Sequence, residues 1–138
     1  MSRWLSSSLM ECAYRYALVT SEKELKSLLK KLRLPQVEFC DDGALAQTHV
    51  FREEGYCLVL LKEGLVLRAE EILGLLVHEA VHVWQFHCEW IGEDKPGTEA
   101  QAYGIQKIAT ELFKAYSQSI PTEHKESNAE ITQSSFSQ

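Results

Sequence analysis

Two histidines and a glutamate stand together in the segment VHEAVHVWQ, residues 77–85. His78 and His82 are four positions apart, so on a helix they share one face with their side chains about 5–6 Å apart. Both imidazoles can then reach one ion at the roughly 2.0–2.1 Å of a zinc–nitrogen bond. Glu79 is turned by about 100° from His78, which lets it sit beside the ion as a base without binding it. This spacing predicts a metal site that activates water.

The residues around these three are almost all apolar, which predicts a buried setting for the helix. The apolar positions are Leu73, Leu75, Leu76, Val77, Ala80, Val81, Val83, Trp84 and Phe86. A charged group in such a place needs a partner, because an unpaired buried carboxylate costs several kcal/mol or becomes protonated. A metal ion would supply that partner. The alternative is that His78 and His82 are hydrogen-bonded core histidines and Glu79 is an ordinary surface residue.

A third ligand is expected downstream, because a catalytic zinc ion typically takes three protein ligands and leaves a fourth position to water. Glu99 is the best candidate, since it opens the next predicted helix and the turn at 93–97 can fold that helix back. Its alternative role is a helix N-terminal charge, favourable by about 0.3–1 kcal/mol. Glu89, Glu93 and Asp94 are weaker candidates that resemble solvated turn residues.

The remaining histidines are predicted to have other roles. His87 is off the shared face and fits a histidine near a helix C-terminus. His49 alternates with its neighbours on a predicted strand and is expected to be structural. His124 lies in a polar C-terminal segment.

Four helices are predicted to position these groups. Apolar residues at helical spacing predict a first helix from about Trp4 to Leu18. The S-x-x-E sequence at 21–24 resembles a capping box that begins a second helix, which Pro35 closes. The last two helices are predicted from about residue 69 to 87 or 88 and from about residue 98 to 117, with the histidines on the first of them.

Short β-prone runs lie between the second and third helices. The segments VEFC, ALAQTHVFR and YCLVLLK are separated by the turns DDG and EEG, which predicts two successive hairpins. The run from Tyr56 to Leu61 is nearly all apolar and is expected to be covered on both faces. The sequence therefore predicts an α+β fold, a small antiparallel sheet of about three strands packed with about four helices.

The chain is predicted to form one domain over residues 1–120, since 45% hydrophobic content in 138 residues suffices for a core. Residues 121–138 are polar and without periodicity, which predicts a flexible tail that could bind a protein partner. The four cysteines form no C-x-x-C pair, so reduced and mostly buried thiols are expected.

The overall charge disfavours one class of partner. A formal net charge of −6 disfavours binding to nucleic acid, which normally needs clustered Lys and Arg. No stretch reaches the roughly 18–20 apolar residues of a membrane span. These features predict a cytoplasmic protein that acts neither on nucleic acid nor in a membrane.

The segment HEAVH at 78–82 resembles the H-E-x-x-H motif of the zincin metallopeptidases, and EAQAY at 99–103 resembles the glutamate-bearing helix of the gluzincin type. The order of small sheet, apolar strand YCLVLL, motif helix and second helix is similar to a minimal zincin core. LGLLVHEAVHVWQ with GTEAQAYGIQ is also similar to small predicted metallopeptidases of bacteriophage and prophage genomes. The resemblance covers about residues 56–115, and its first motif is the more specific. The metzincin extension after His82 is absent.

The resemblance implies zinc-dependent hydrolysis of a peptide bond in a peptide or protein substrate. His78, His82 and Glu99 would bind Zn²⁺, and Glu79 would act as general base on the water. Tyr103, one turn after Glu99, is a candidate hydrogen-bond donor to the developing oxyanion, although a packed aromatic is the commoner role. The location implied is the cytoplasm of a bacterial or phage-infected cell.

Two other functions remain open from the sequence. One is a non-catalytic structural or assembly protein, such as a virion component, that keeps a zincin fold and its metal site. The small size and polar tail fit that hypothesis. The other is a toxin or regulator with the same site and one dedicated host protein as substrate.

Overall fold

A computed structural model describes residue 4 and residues 12–40 and 43–121 of the chain. Within these ranges the elements are β1 (Arg15–Val19), α1 (Glu22–Leu32), β2 (Ala46–Phe51), β3 (Tyr56–Leu61), α2 (Ala69–Ile91) and α3 (Thr98–Ser119). The fold is α+β, as predicted. The described residues contain three helices rather than four. The predicted tail lies, apart from Pro121, outside them.

The three strands form a mixed sheet in the order β1-β3-β2. β3 runs parallel to β1 and antiparallel to β2, so the prediction of an all-antiparallel sheet was wrong. Central β3 is buried on both faces, as its apolar run predicted. The segment VEFC at 37–40 is not a strand, because β1 takes the place beside β3. Val37 and Phe39 pack instead against the core on the α1 side of the sheet.

The helix predicted from Trp4 to Leu18 was wrong at its C-terminal end, where β1 forms. Residues 5–11 lie outside the described part of the chain. The apolar positions that suggested a helical stripe belong to a strand covered on both faces: Tyr16 and Leu18 enter one core cluster, and Ala17 and Val19 the other. A buried parallel strand is apolar at nearly every position, so its sequence matches a helical stripe by chance.

Helix α1 covers one face of the sheet and begins where the capping box predicted. The Ser21 hydroxyl accepts a hydrogen bond from the Glu24 backbone N–H at 3.1 Å. Leu25 and Leu29 are buried against the sheet. The helix ends at Arg33, which adopts the left-handed conformation with φ of 55° just ahead of Pro35.

Helices α2 and α3 cover the opposite face. α2 begins at the predicted residue and continues to Ile91, where Gly92 caps it with φ of 72°, a value that glycine adopts without strain. α3 is tied to the sheet by the Tyr16 hydroxyl, which donates a hydrogen bond to the Glu111 carboxylate. Burial and this contact raise the pKa of Tyr16, so its phenol keeps its proton.

No helix in the described ranges is long and apolar enough to cross a membrane.

The four cysteines are unpaired, as predicted. Cys57 and Cys88 are buried, and Cys12 and Cys40 are partly buried. Burial raises the pKa of Cys12, Cys57 and Cys88 above the ordinary thiol value. These three side chains therefore remain protonated thiols at neutral pH and are poor nucleophiles.

Candidate metal centre

The imidazoles of His78 and His82 meet on one face of α2, as their spacing predicted. Their Nε2 atoms are 3.2 Å apart, and their ring centroids are 4.9 Å apart. Two zinc–nitrogen bonds of roughly 2.0–2.1 Å at the tetrahedral angle place the nitrogens about 3.3–3.4 Å apart. The two Nε2 atoms are therefore close to the spacing of two ligands of one tetrahedral ion, and at this distance they also form a hydrogen bond with each other.

Gln85 supports the orientation of the second imidazole. Its Oε1 lies 3.0 Å from Nδ1 of His82. In the tautomer that carries its proton on Nδ1, His82 donates to this oxygen and keeps the Nε2 lone pair for a metal or a proton. A partner of this kind fixes the orientation of the ring.

Glu79 points away from solvent, towards the sheet. Its side chain is only 4% exposed, and its Oε2 accepts a hydrogen bond of 2.5 Å from the Thr48 hydroxyl on β2. Successive residues turn by about 100° around a helix, so Glu79 lies about 60° from His82 and about 100° from His78. Glu79 is thus a buried carboxylate with a hydrogen-bond donor, at the helix position directly after His78.

The setting of the pair is less buried than its apolar neighbours predicted. His78 is exposed and His82 is partly buried. Leu73 and Val77 are also partly open to solvent, each 39% exposed. The expectation of an apolar interior on every side was wrong, because α2 packs on the sheet and on α3 and leaves its remaining face in water.

Glu99 and Tyr103 both lie on α3, at exposed positions. α3 crosses α2 so closely that a Cβ at Gly104 would overlap the indole of Trp84. Trp84 points about 160° away from His82 around the helix axis and about 120° from His78. Trp84, the α2 side chain that Gly104 of α3 contacts, therefore points to another side of α2 than the imidazoles.

No group of three or more His, Cys, Asp or Glu side chains within residues 12–40 and 43–121 is arranged to hold a metal ion. Glu99 as third ligand stays a prediction. Glu89, a weaker candidate, continues the histidine stripe but pairs with Arg52, 3.2 Å away. Glu93 and Asp94 are exposed in the connection between α2 and α3.

His49 and His87 are held by backbone groups, as structural residues are. The Nε2 of His49 lies 3.2 Å from the Glu38 carbonyl oxygen on the α1 side of the sheet. His87 is buried, and its Nδ1 accepts a hydrogen bond from the Ala13 backbone N–H at 3.0 Å. His87 was predicted as a helix-terminal histidine, but it anchors the segment that leads into β1.

We expect the free energy of unfolding to decrease as pH falls, because of His87. Burial lowers the pKa of His87 from its ordinary value of 6.5. The unfolded chain therefore binds a proton at a higher pH than the folded chain does, and stability falls as pH drops below about 6.5 and through the folded pKa. Urea unfolding of the metal-free protein at pH 7.5 and 5.5 measures this loss. His87→Asn, which keeps an acceptor but does not titrate, should show a smaller loss; an equal loss would contradict the assignment.

Thr48 is the site residue that the sequence did not reveal. It stands 31 positions from Glu79 in the chain, and its signal is weak, since a threonine suits any strand. The only available hint was its place between Ala46 and Val50 on one face of an alternating strand. Which helix that face would meet depends on the tertiary structure.

A cavity of about 610 Å³ lies at the other end of α2, between the end of β3 and the last turn of α3. Leu61, Ile72 and Tyr116 are among its lining residues, and neither His78 nor His82 is. No family model, no curated protein and no solved structure matches this chain.

Proposed function

We propose that this chain is a zinc-dependent hydrolase of peptide bonds, with His78 and His82 as metal ligands and Glu79 as general base. The observation that carries the proposal is the 3.2 Å separation of the two Nε2 atoms beside a buried carboxylate. Softer or harder ligand sets would favour other metals, but imidazoles with a carboxylate suit zinc. The proposed setting is the cytoplasm of a bacterial or phage-infected cell.

A bound zinc ion supplies Lewis acidity, which lowers the pKa of water towards about 7 and polarises a carbonyl. Glu79 takes a proton from the attacking water as the water oxygen bonds to the peptide carbon. Glu79 then delivers that proton to the leaving nitrogen as the carbon–nitrogen bond breaks. One water is consumed, and a carboxylic acid and an amine are released.

The open edge of the sheet supports an extended peptide as substrate. Within the described residues β2 pairs with β3 alone, and Thr48 in its middle contacts Glu79. A peptide added as a further strand would make main-chain hydrogen bonds with β2 and run alongside the base. This orientation favours a peptide or protein over a compact small molecule.

The third ligand and the oxyanion donor are proposed from the sequence resemblance. Both residues lie on α3, whose Gly104 packs against Trp84 of α2. Metal affinity can test Glu99 directly. Tyr103 is the weaker assignment, since its side chain is 63% exposed.

Zinc content is the decisive measurement. After chelation and reloading, the wild-type protein is expected to hold about one zinc ion per chain by elemental analysis. His78→Ala and His82→Ala should lose it, because each removes one of two converging nitrogens. His49→Ala is the control, since the Nε2 of His49 faces the Glu38 carbonyl instead. Absence of stoichiometric zinc in the wild type would overturn the proposal.

Glu99 has its own comparison in the same assay. If it is a ligand, Glu99→Gln should weaken zinc affinity by more than about tenfold. Glu89→Gln, which removes a carboxylate paired with Arg52, is the matched control and should change little. Equal affinities in the two variants would remove Glu99 from the ligand set while leaving the imidazoles in place.

A second candidate function is a metal-stabilised structural or assembly protein, with the polar C-terminal segment as a contact for a protein partner. The polar composition of residues 121–138 favours it, because such a segment suits a contact with a protein partner. Such a protein would bind zinc and gain stability from it. It would cleave no member of a peptide library.

A further inference from the structure

The side chain of Thr48 is directed at α2 by the alternation of β2. Ala46 and Val50, two positions away on either side, pack against the core cluster shared with α2 and α3. Phe51 belongs to the cluster on the α1 side. Thr48 thus places a hydroxyl on an otherwise apolar stretch of strand, where it reaches the buried carboxylate of Glu79.

The backbone N–H and C=O of Thr48 point away from β3. The Lys62 N–H donates to the Leu45 carbonyl at 2.9 Å, which makes Leu45 and Lys62 a hydrogen-bonded pair. Thr48 stands opposite Val59 in the same register, three positions along β2. Hydrogen-bonded and non-hydrogen-bonded pairs alternate in an antiparallel ladder, so Thr48 is in a non-hydrogen-bonded pair. Its N–H and C=O therefore point away from β3, to the side of β2 on which no strand of the described residues pairs.

We infer that Thr48 is the positioning residue that sets the register between an extended peptide substrate and the general base. Its backbone N–H and C=O pair with the peptide, while its hydroxyl holds Oε2 of Glu79. The other carboxylate oxygen is left to exchange protons with water and the leaving nitrogen. This inference rests on the proposed function, and it adds a residue that connects the substrate edge to the catalytic carboxylate.

The Thr48 hydroxyl matters because it donates a hydrogen bond to the buried carboxylate of Glu79. The Glu79 side chain is only 4% exposed, and a buried carboxylate without a hydrogen-bond donor is costly in free energy. Valine has nearly the same shape as threonine and suits a strand equally well, so Thr48→Val removes the donor with little change in packing. Serine keeps the donor and loses only a methyl group.

The test compares Thr48→Val and Thr48→Ser in zinc-loaded protein with an extended peptide. For Thr48→Val, kcat should fall about 10–100-fold, as is usual when a supporting hydrogen bond is lost, with KM changed less than about threefold. Thr48→Ser should restore kcat to within about threefold. Tyr16→Phe is the matched control, because it removes a hydroxyl that donates to a different carboxylate, that of Glu111.

A second readout does not depend on activity. A crystal structure of metal-free Thr48→Val should show the Glu79 carboxylate displaced from its wild-type position, whereas Thr48→Ser should keep it in place. Wild-type kcat in Thr48→Val, or equal losses in Thr48→Val and Tyr16→Phe, would overturn the inference alone. A wild-type protein that binds zinc but cleaves no peptide would overturn the proposed function, which is a distinct result.

Discussion

Glu79→Gln is expected to lower the rate of peptide hydrolysis by about 10²–10⁴-fold, the usual contribution of a general base. Glutamine keeps an oxygen that can accept the hydrogen bond from Thr48, so the side chain should remain in its place. It lacks the basic oxygen that takes a proton from water. Zinc content should stay at the wild-type level, because the change leaves His78 and His82 intact.

The measurement is kcat/KM on a peptide that the wild type cleaves, together with elemental analysis of the same samples. Glu89→Gln is the matched control, since it makes the same chemical change ten residues along the same helix, at an exposed carboxylate. It should retain activity within about twofold, as expected away from the reacting atoms. Equal activity of Glu79→Gln and wild type would refute the role of Glu79, even if zinc is bound.

Gly104→Ala is expected to destabilise the fold, although alanine favours helices over glycine by about 1 kcal/mol. A Cβ at this position would overlap two ring atoms of Trp84 and lie 3.0 Å from Cη2. Trp84 is only 4% exposed, so its indole cannot turn into solvent. Overpacking of this kind costs about 1–3 kcal/mol. The steric cost should exceed the helical gain, and α2 and α3 would separate.

Gly74→Ala on α2 is the control for helix propensity. A Cβ at Gly74 would meet nothing within 4 Å, so the substitution should stabilise the protein by about 0.5–1 kcal/mol. The free energy of unfolding in urea compares both variants with the wild type. Stabilisation by both substitutions would contradict the close approach of α3 to Trp84.

Local signals in the sequence predicted the elements that carry the site. The apolar stripe and the S-x-x-E sequence at 21–24 correctly predicted α1, and the start of α2 was predicted at Ala69. The β2–β3 hairpin followed from the EEG turn between two β-prone runs. These predictions succeed because helix caps, tight turns and periodicity are properties of residues close together in the chain.

The errors concern contacts between distant residues. Tyr16 and its neighbours resembled a helix, because burial of β1 on both faces depends on its pairing with β3 about 40 residues later. VEFC was predicted as a strand because nothing in it indicates that β1 already occupies that position. The exposure of His78 was missed for the same reason, since apolar neighbours do not reveal which face of α2 the sheet covers.

The sequence by itself determined that His78, Glu79 and His82 lie on one helix, with the two imidazoles one turn apart. The helical repeat requires that arrangement whatever surrounds it. Only the tertiary structure decided that Glu79 faces Thr48 on an edge strand and that α3 packs against Trp84, a side chain that points away from the imidazoles. Those placements depend on which apolar surfaces bury each other, and that choice is made by the whole core rather than by any segment.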